Sequence, residues 1–100
     1  MSAQRKQIRQ GSPMTAEQLL QQAASIVHER RCTYGQPREL FEQVARRWSL
    51  ALGCEVTTAQ AVLCMLEVKA ARLSRDPRHL DSITDIAGYA GILAELAPDA

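Results

Sequence analysis

Four stretches of this 100-residue chain carry apolar residues at helical spacing, and a residue that starts or stops a helix stands at each boundary. Thr15 and Thr57 each precede a glutamine by three positions, which is the spacing of a capping box. Pro37 fits the first turn of a helix, and Gly53 fits the left-handed position that ends one. The pattern predicts four helices, over about residues 15–31, 37–52, 57–75 and 80–97.

No stretch alternates apolar and polar residues as a half-buried strand does, so the predicted fold class is all-α. The apolar stripe of the second helix includes Phe41 and Trp48, which we expect to face the core. Asp81 or Ser82 is the expected cap of the fourth helix. Four helices with short connections predict a four-helix bundle-like single domain over residues 15–97.

Residues 1–14 differ from the rest of the chain because they are polar and carry Arg5, Lys6 and Arg9. We expect a flexible basic N-terminal arm here. It is either an untethered terminus or a phosphate-seeking segment that folds when it binds. The segment lacks the apolar stretch of a secretory signal peptide.

Composition and charge exclude several classes of protein. Twelve Lys and Arg against eleven Asp and Glu give a formal net charge of +1, which argues against a strongly basic binder of duplex nucleic acid. No apolar run approaches ~20 residues, so no membrane span is expected. The three cysteines, Cys32, Cys54 and Cys64, form no C-x-x-C motif. We also expect none of them to have a histidine at the spacing of a pair of metal ligands. They predict reduced thiols, no zinc site and a cytoplasmic protein.

The connection around Pro77 is short, so the third and fourth helices should be antiparallel neighbours. Folding the chain there places Lys69 opposite Asp85, and Arg72 opposite Asp81 or the residue after it. Positions 81, 85 and 89 also share one stripe of the fourth helix. Six side chains are therefore expected on one face: Glu67, Lys69, Arg72, Asp81, Asp85 and Tyr89.

Two interpretations of this face stay open. In the first, the charges are interhelical salt bridges that fix the helix pairing and contribute roughly 0–1 kcal/mol each. Alternatively, the cations hold a phosphate while the carboxylates hold Mg²⁺, an ion that accepts one or two carboxylates together with phosphate oxygens and water.

The connection between the first two helices is the second candidate region, because it combines arginines with an aromatic ring and a glycine. Arg31 could bind phosphate oxygens through its planar fork, and Tyr34 could stack on a nucleobase beside Gly35. The alternative is an ordinary interhelical turn with the Tyr34 ring in the core.

Three strings of residues carry a family resemblance: 31–37 with its Tyr-Gly turn, 69–73, and the Asp-Ser-x-x-Asp-x-x-Gly-Tyr block that begins at residue 81. Together they resemble a small, uncharacterised family of phages and prophages. That family is similar to phage nucleotide-modification-associated domains. It is distantly similar to the all-α NTP pyrophosphatase superfamily, which includes MazG-like and dimeric dUTPase-like proteins.

The resemblance implies a helical nucleotide-binding fold that forms oligomers and uses Mg²⁺ held by Glu-x-x-Glu and Glu-x-x-Asp motifs. Asp85 matches the final Asp, and Glu67 lies in the helix that carries the first motif. Ser82 and Ala70 stand where further acidic residues are expected, which favours binding of a phosphorylated ligand without turnover. The predicted metal ligands are Glu67 and Asp85. The predicted ligand-binding residues are Arg31, Tyr34, Gly35, Lys69, Arg72, Asp81 and Tyr89.

Three functions follow as hypotheses. The first is a nucleotide-binding protein of pyrophosphatase-like ancestry. The second is a non-enzymatic protein that sequesters a cyclic oligonucleotide signal of bacterial anti-phage defence. The third is a structural or protein-interaction module, suggested by the small residues on the fourth helix around Gly88 and Gly91. They would let another backbone approach closely, either within the chain or across a subunit boundary.

Overall fold

The computed structural model describes residues 14–97, and these residues form four α-helices and no strand, which confirms the all-α prediction. The predicted arm, apart from residue 14, lies outside the described residues. The helices are α1 (Ala16–Tyr34), α2 (Pro37–Leu52), α3 (Thr58–Arg75) and α4 (Leu80–Leu96).

Both predicted capping boxes are present. The Thr15 hydroxyl accepts from the backbone N–H of Gln18 at 3.1 Å, and the Gln18 side chain accepts from the Thr15 N–H at 2.9 Å. Thr57 and Gln60 make the same two bonds at the same distances. Each box satisfies two N–H groups that the first turn of a helix leaves without a partner.

The boundaries differ from the prediction at two places. α1 continues to Tyr34, three residues beyond the expected end, and stops at Gly35, whose φ of 90° only glycine adopts without strain. The cap of α4 is His79, not Asp81 or Ser82, because its ring nitrogen Nδ1 accepts from the Ser82 N–H at 3.3 Å. An imidazole nitrogen here accepts the capping hydrogen bond that a hydroxyl or a carboxylate oxygen was expected to accept.

The core lies where α2, α3 and the end of α4 meet. Its fully buried apolar members come from all three helices: Phe41, Ala45, Ala61, Val62 and Leu96. Trp48 packs against them and is partly buried, so the inward orientation predicted for Phe41 and Trp48 is confirmed. α4 has its most extensive contact with α3.

α1 is attached mainly to one face of α4, and its contacts with α2 and α3 are slight. Ala23 is its one fully buried residue, whereas Leu20 is 57% exposed. None of the four helices in residues 14–97 combines the length and the apolar character needed to cross a bilayer.

Candidate functional site

A compact charged group lies between α3 and α4. Lys69 Nζ lies 2.9 Å from Asp85 Oδ2 and 4.0 Å from Asp81 Oδ2. We call these three residues the Lys69 cluster. The side chains of Lys69 and Asp85 are 12% and 9% exposed, whereas that of Asp81 is 67% exposed. The cluster therefore has a nearly buried ion pair and a solvent-facing carboxylate.

The tight turn between α3 and α4 fixes this arrangement. The backbone N–H of Arg78 donates to Asp76 Oδ1 at 3.2 Å, and the N–H of His79 donates to the Asp76 carbonyl at 3.1 Å. Ser82 is fully buried, with its Oγ 2.7 Å from His79 Nδ1. These bonds set the register of the two helices and so bring Asp85 to Lys69, as the sequence predicted.

The other residues predicted for this face have different surroundings. The Arg72 side chain is exposed and forms no ion pair within residues 14–97, so its expected contact with Asp81 is absent. The reason is that Asp81 faces Lys69 instead. Glu67 is exposed and belongs to no ion pair among the same residues. The Tyr89 ring packs edge-on against Phe41, with centroids 6.2 Å apart, and so belongs to the core.

The residues around the Tyr-Gly turn form a separate structure. Arg31 makes a two-pronged ion pair with Glu95 of α4, at 2.5 and 3.4 Å, and also donates to the Gln36 side chain at 2.6 Å. The hydrogen bond that Arg31 donates to Glu95 raises the pKa of Arg31 above its ordinary value. The Arg31 guanidinium thus joins α1 to the turn and to α4.

Tyr34 is 80% exposed, which answers the question the sequence left open: its ring is not in the core. Because Tyr34 is the last residue of α1, it and Gly35 lie near the Arg31–Glu95 pair. Asp81 and Glu95 are fourteen positions apart on α4, which is about 21 Å at 1.5 Å per residue. Tyr89 apart, the predicted ligand-binding residues therefore form two groups at opposite ends of α4.

A divalent metal fits this arrangement poorly. Within residues 14–97 no three histidine, cysteine or acidic side chains come together as a metal site. Glu67 is exposed apart from the Lys69 cluster, and the Asp85 carboxylate is held by Lys69. Within the described residues, the predicted metal ligands Glu67 and Asp85 therefore belong to no group of three metal-binding side chains.

One contact was missed by the sequence analysis. His28 Nε2 lies 3.7 Å from Cys32 Sγ, and both side chains are exposed on α1. The expectation that no cysteine has a ligand-spaced histidine is therefore wrong. The signal was present in the sequence, because residues four positions apart on a helix are neighbours.

An open groove of about 330 Å³ lies beside this pair, between α1 and α4. Its apolar walls are Leu20 and Val27 on α1 and Ala87 and Gly91 on α4. A methyl group added at Gly91 would meet nothing within 4 Å, so the wall is open there. His28, Arg31 and Glu95 form the polar part of its lining.

Comparison with known proteins gives one family and two curated relatives. The model of the DUF6378 family, a domain of unknown function, matches residues 18–97. The Gene 55 protein of Mycobacterium phage D29 is 37% identical over 82 residues, which cover 81% of this chain and 54% of the phage protein. The Gene 55 protein of Mycobacterium phage L5 is 34% identical over 80 residues, covering 78% of this chain and 51% of the phage protein.

The chain thus spans about half the length of these curated relatives. The matches confirm the predicted resemblance to an uncharacterised phage family, whereas the relationship to MazG-like proteins stays a prediction. No solved structure matches the chain.

Proposed function

The chain belongs to the DUF6378 family, and from that premise we propose that it binds a phosphorylated nucleotide on the α3–α4 surface that carries the Lys69 cluster. The observation that carries this proposal is a cation held in place between two carboxylates, with a second cation, Arg72, exposed one turn further along α3. Arginine and lysine are the side chains that bind phosphate oxygens in proteins.

The two carboxylates have different roles in this proposal. Asp85 contacts Lys69 closely and largely out of solvent, so it holds the ammonium in position. Asp81 lies 4.0 Å from Lys69, which is a longer and weaker contact, and its side chain is mostly exposed. A phosphate can therefore displace the Asp81 carboxylate at a low cost in free energy. Arg72 then supplies the planar fork to the same phosphate from the solvent side.

Binding without hydrolysis is the form of the proposal that the residues support. Hydrolysis of a nucleoside triphosphate by the superfamily that the sequence distantly resembles requires a set of carboxylates around Mg²⁺, and Ser82 and Ala70 interrupt that set here. Mg²⁺ would therefore arrive with the nucleotide phosphates and find Asp81 as the accessible carboxylate. We place this activity in the cytoplasm of the bacterial host, in a homo-oligomer.

The test is isothermal titration calorimetry of the chain with a panel of NTPs and dNTPs, each with Mg²⁺. We expect binding that weakens about tenfold in Arg72→Ala, the loss of about 1.4 kcal/mol for a charge-assisted contact. Arg46→Ala removes the same charge from an exposed position on α2 and is the matched control, which should bind as the parent chain does. Absence of heat for every nucleotide at tens of micromolar protein would remove the proposal.

Two further arms separate the alternatives. A panel of cyclic di- and trinucleotides tests the signal-sequestering hypothesis, for which ligand must be recovered unchanged after the complex is denatured. Assay of pyrophosphate release tests hydrolysis directly. The α1–α4 groove favours the third hypothesis, a protein-interaction module, and that hypothesis gains if only a protein partner binds.

A further inference from the structure

We propose that the base of the bound nucleotide enters a pocket beside the Lys69 cluster, and that Asp85 selects bases that carry an exocyclic amino group. The inference rests on the proposed function, because it requires a nucleotide phosphate at the Lys69 cluster. The observation behind it is that Asp85 belongs to that cluster and also lines the pocket, which lies between α1 and α4. We call this cavity the Asp85 pocket.

The lining of the Asp85 pocket is mostly apolar. Ile26 of α1 and Ile92 of α4 contribute to it, and the Tyr89 ring, which packs edge-on against Phe41, adds an aromatic surface. Its volume of about 60 Å³ has room for one edge of a heterocyclic ring, so the remainder of a base lies at the mouth. A flat ligand with apolar faces and a polar edge fits such a lining.

Two α4 side chains of this pocket, Asp85 and Thr84, are suited to accept hydrogen bonds. Asp85 Oδ2 lies 2.9 Å from the Lys69 ammonium, and a carboxylate has further acceptor sites beyond one such contact. The Thr84 hydroxyl donates to the Leu80 carbonyl at 2.8 Å, so its proton is already used and its lone pairs remain. A ligand edge that offered only another acceptor here would leave buried polar groups unpaired, whereas an amino group donates to them.

Arg30 and Asp81 lie at the two ends of the proposed ligand. Arg30 lines the pocket from α1, is exposed and forms no ion pair within residues 14–97, so its guanidinium is available to stack on the part of the base outside the pocket. Asp81, which the phosphate displaces, precedes Asp85 by four residues of α4, or about 6 Å. The ribose spans that separation between phosphate and base.

The experiment is calorimetric titration of the parent chain with two matched pairs of nucleotides in the presence of Mg²⁺. The pairs are ATP with ITP, and CTP with UTP; within each pair the phosphates and the sugar are identical, and a carbonyl replaces the amino group of the base. We expect ATP to bind more tightly than ITP, and CTP more tightly than UTP, by at least about tenfold, because the lost hydrogen bond is one to a charged carboxylate.

Asp85→Asn tests the role of the carboxylate directly. The amide has the same size, its oxygen accepts from Lys69, and its NH₂ group donates into the pocket. The order within each pair should therefore reverse, so that ITP and UTP become the tighter ligands. Glu42→Gln makes the same chemical change at an exposed position of α2 and should keep the order of the parent chain. Circular dichroism checks folding, and the parent-chain comparison decides the question without any variant.

Three results would overturn the inference. Equal affinities within both nucleotide pairs would do so while leaving phosphate binding, the proposed function, in place. A folded Asp85→Asn chain that keeps the order of the parent would show that another group contacts the amino group. Absence of heat for all four nucleotides would remove the proposed function and this inference together.

Discussion

The two faces of α4 differ in how much of the fold they support. One face meets α2 and α3 around Phe41 and Val62, where side chains are excluded from solvent. The other meets α1 alone, and Ala23 is the one fully buried residue that α1 contributes. The difference separates two roles: the first face holds the domain together, and the second leaves an open groove between α1 and α4.

The largest expected effect tests the tightly packed face. Phe41→Ala removes a 6% exposed ring that contacts Tyr89 edge-on, and should lower the free energy of unfolding by about 3–5 kcal/mol. Leu20→Ala on the α1 side should change it by less than about 0.5 kcal/mol in the monomer. Urea denaturation measures both, and equal losses would contradict the contrast between the faces.

The next effect concerns the ion pair of the Lys69 cluster. Lys69→Met leaves the 9% exposed carboxylate of Asp85 without its partner, and should cost about 3 kcal/mol, the lower end for breaking a buried pair. The double variant Lys69→Met/Asp85→Leu should recover most of that loss, because no unpaired charge remains. A double-mutant cycle from denaturation curves measures the coupling. Additive losses would mean that the pair is not coupled.

The two capping boxes offer a matched test of the same comparison. Thr57→Ala removes the cap of α3 and should lower global stability by about 1 kcal/mol. Thr15→Ala removes the same kind of cap from α1, a helix that can unfold locally while the core stays folded. Its cost should therefore appear as faster amide hydrogen exchange within α1 while the denaturation midpoint changes little. A global loss as large as that of Thr57→Ala would show that α1 unfolds with the rest.

The smallest effect has the opposite sign. Gly91→Ala adds a methyl group in open space on a helix and should stabilise the chain by about 0.4–1 kcal/mol. At Gly88 an added Cβ would lie 3.4 Å from Val27 Cγ2, so the gain there should be smaller. Thermal denaturation of the two variants compares them, and destabilisation by Gly91→Ala would mean that this wall is covered in solution.

Much of the fold could be predicted because local signals agree with the packing. Apolar spacing and the Thr-x-x-Gln pattern placed the helices, and the short turn after Arg75 placed Lys69 opposite Asp85. The cap at His79 was missed because a histidine seldom serves in that role, and its use depends on the buried hydroxyl of Ser82.

The candidate site was harder to predict because the partner of a long charged side chain is decided by the fold. Arg31 carries a guanidinium group that is suited to binding phosphate, yet it pairs with Glu95, which lies 64 positions away on another helix. Asp81 lies 4.0 Å from Lys69 and makes no ion pair with Arg72, although both cations lie on the same helix. Sequence spacing gives the stripe on which a residue lies but not which of two partners it reaches.

The direction in which α1 leaves the rest of the domain depends on one backbone torsion. Gly35 combines a φ of 90° with a ψ of −167°, a conformation almost restricted to glycine, and only Gln36 separates it from α2. An added side chain at that position would meet no neighbouring atom, but it would strain this torsion, so the cost of substitution would arise from the backbone and not from crowding. The Lys69 cluster is positioned by the separate turn between α3 and α4, so strain at Gly35 should leave its geometry unchanged.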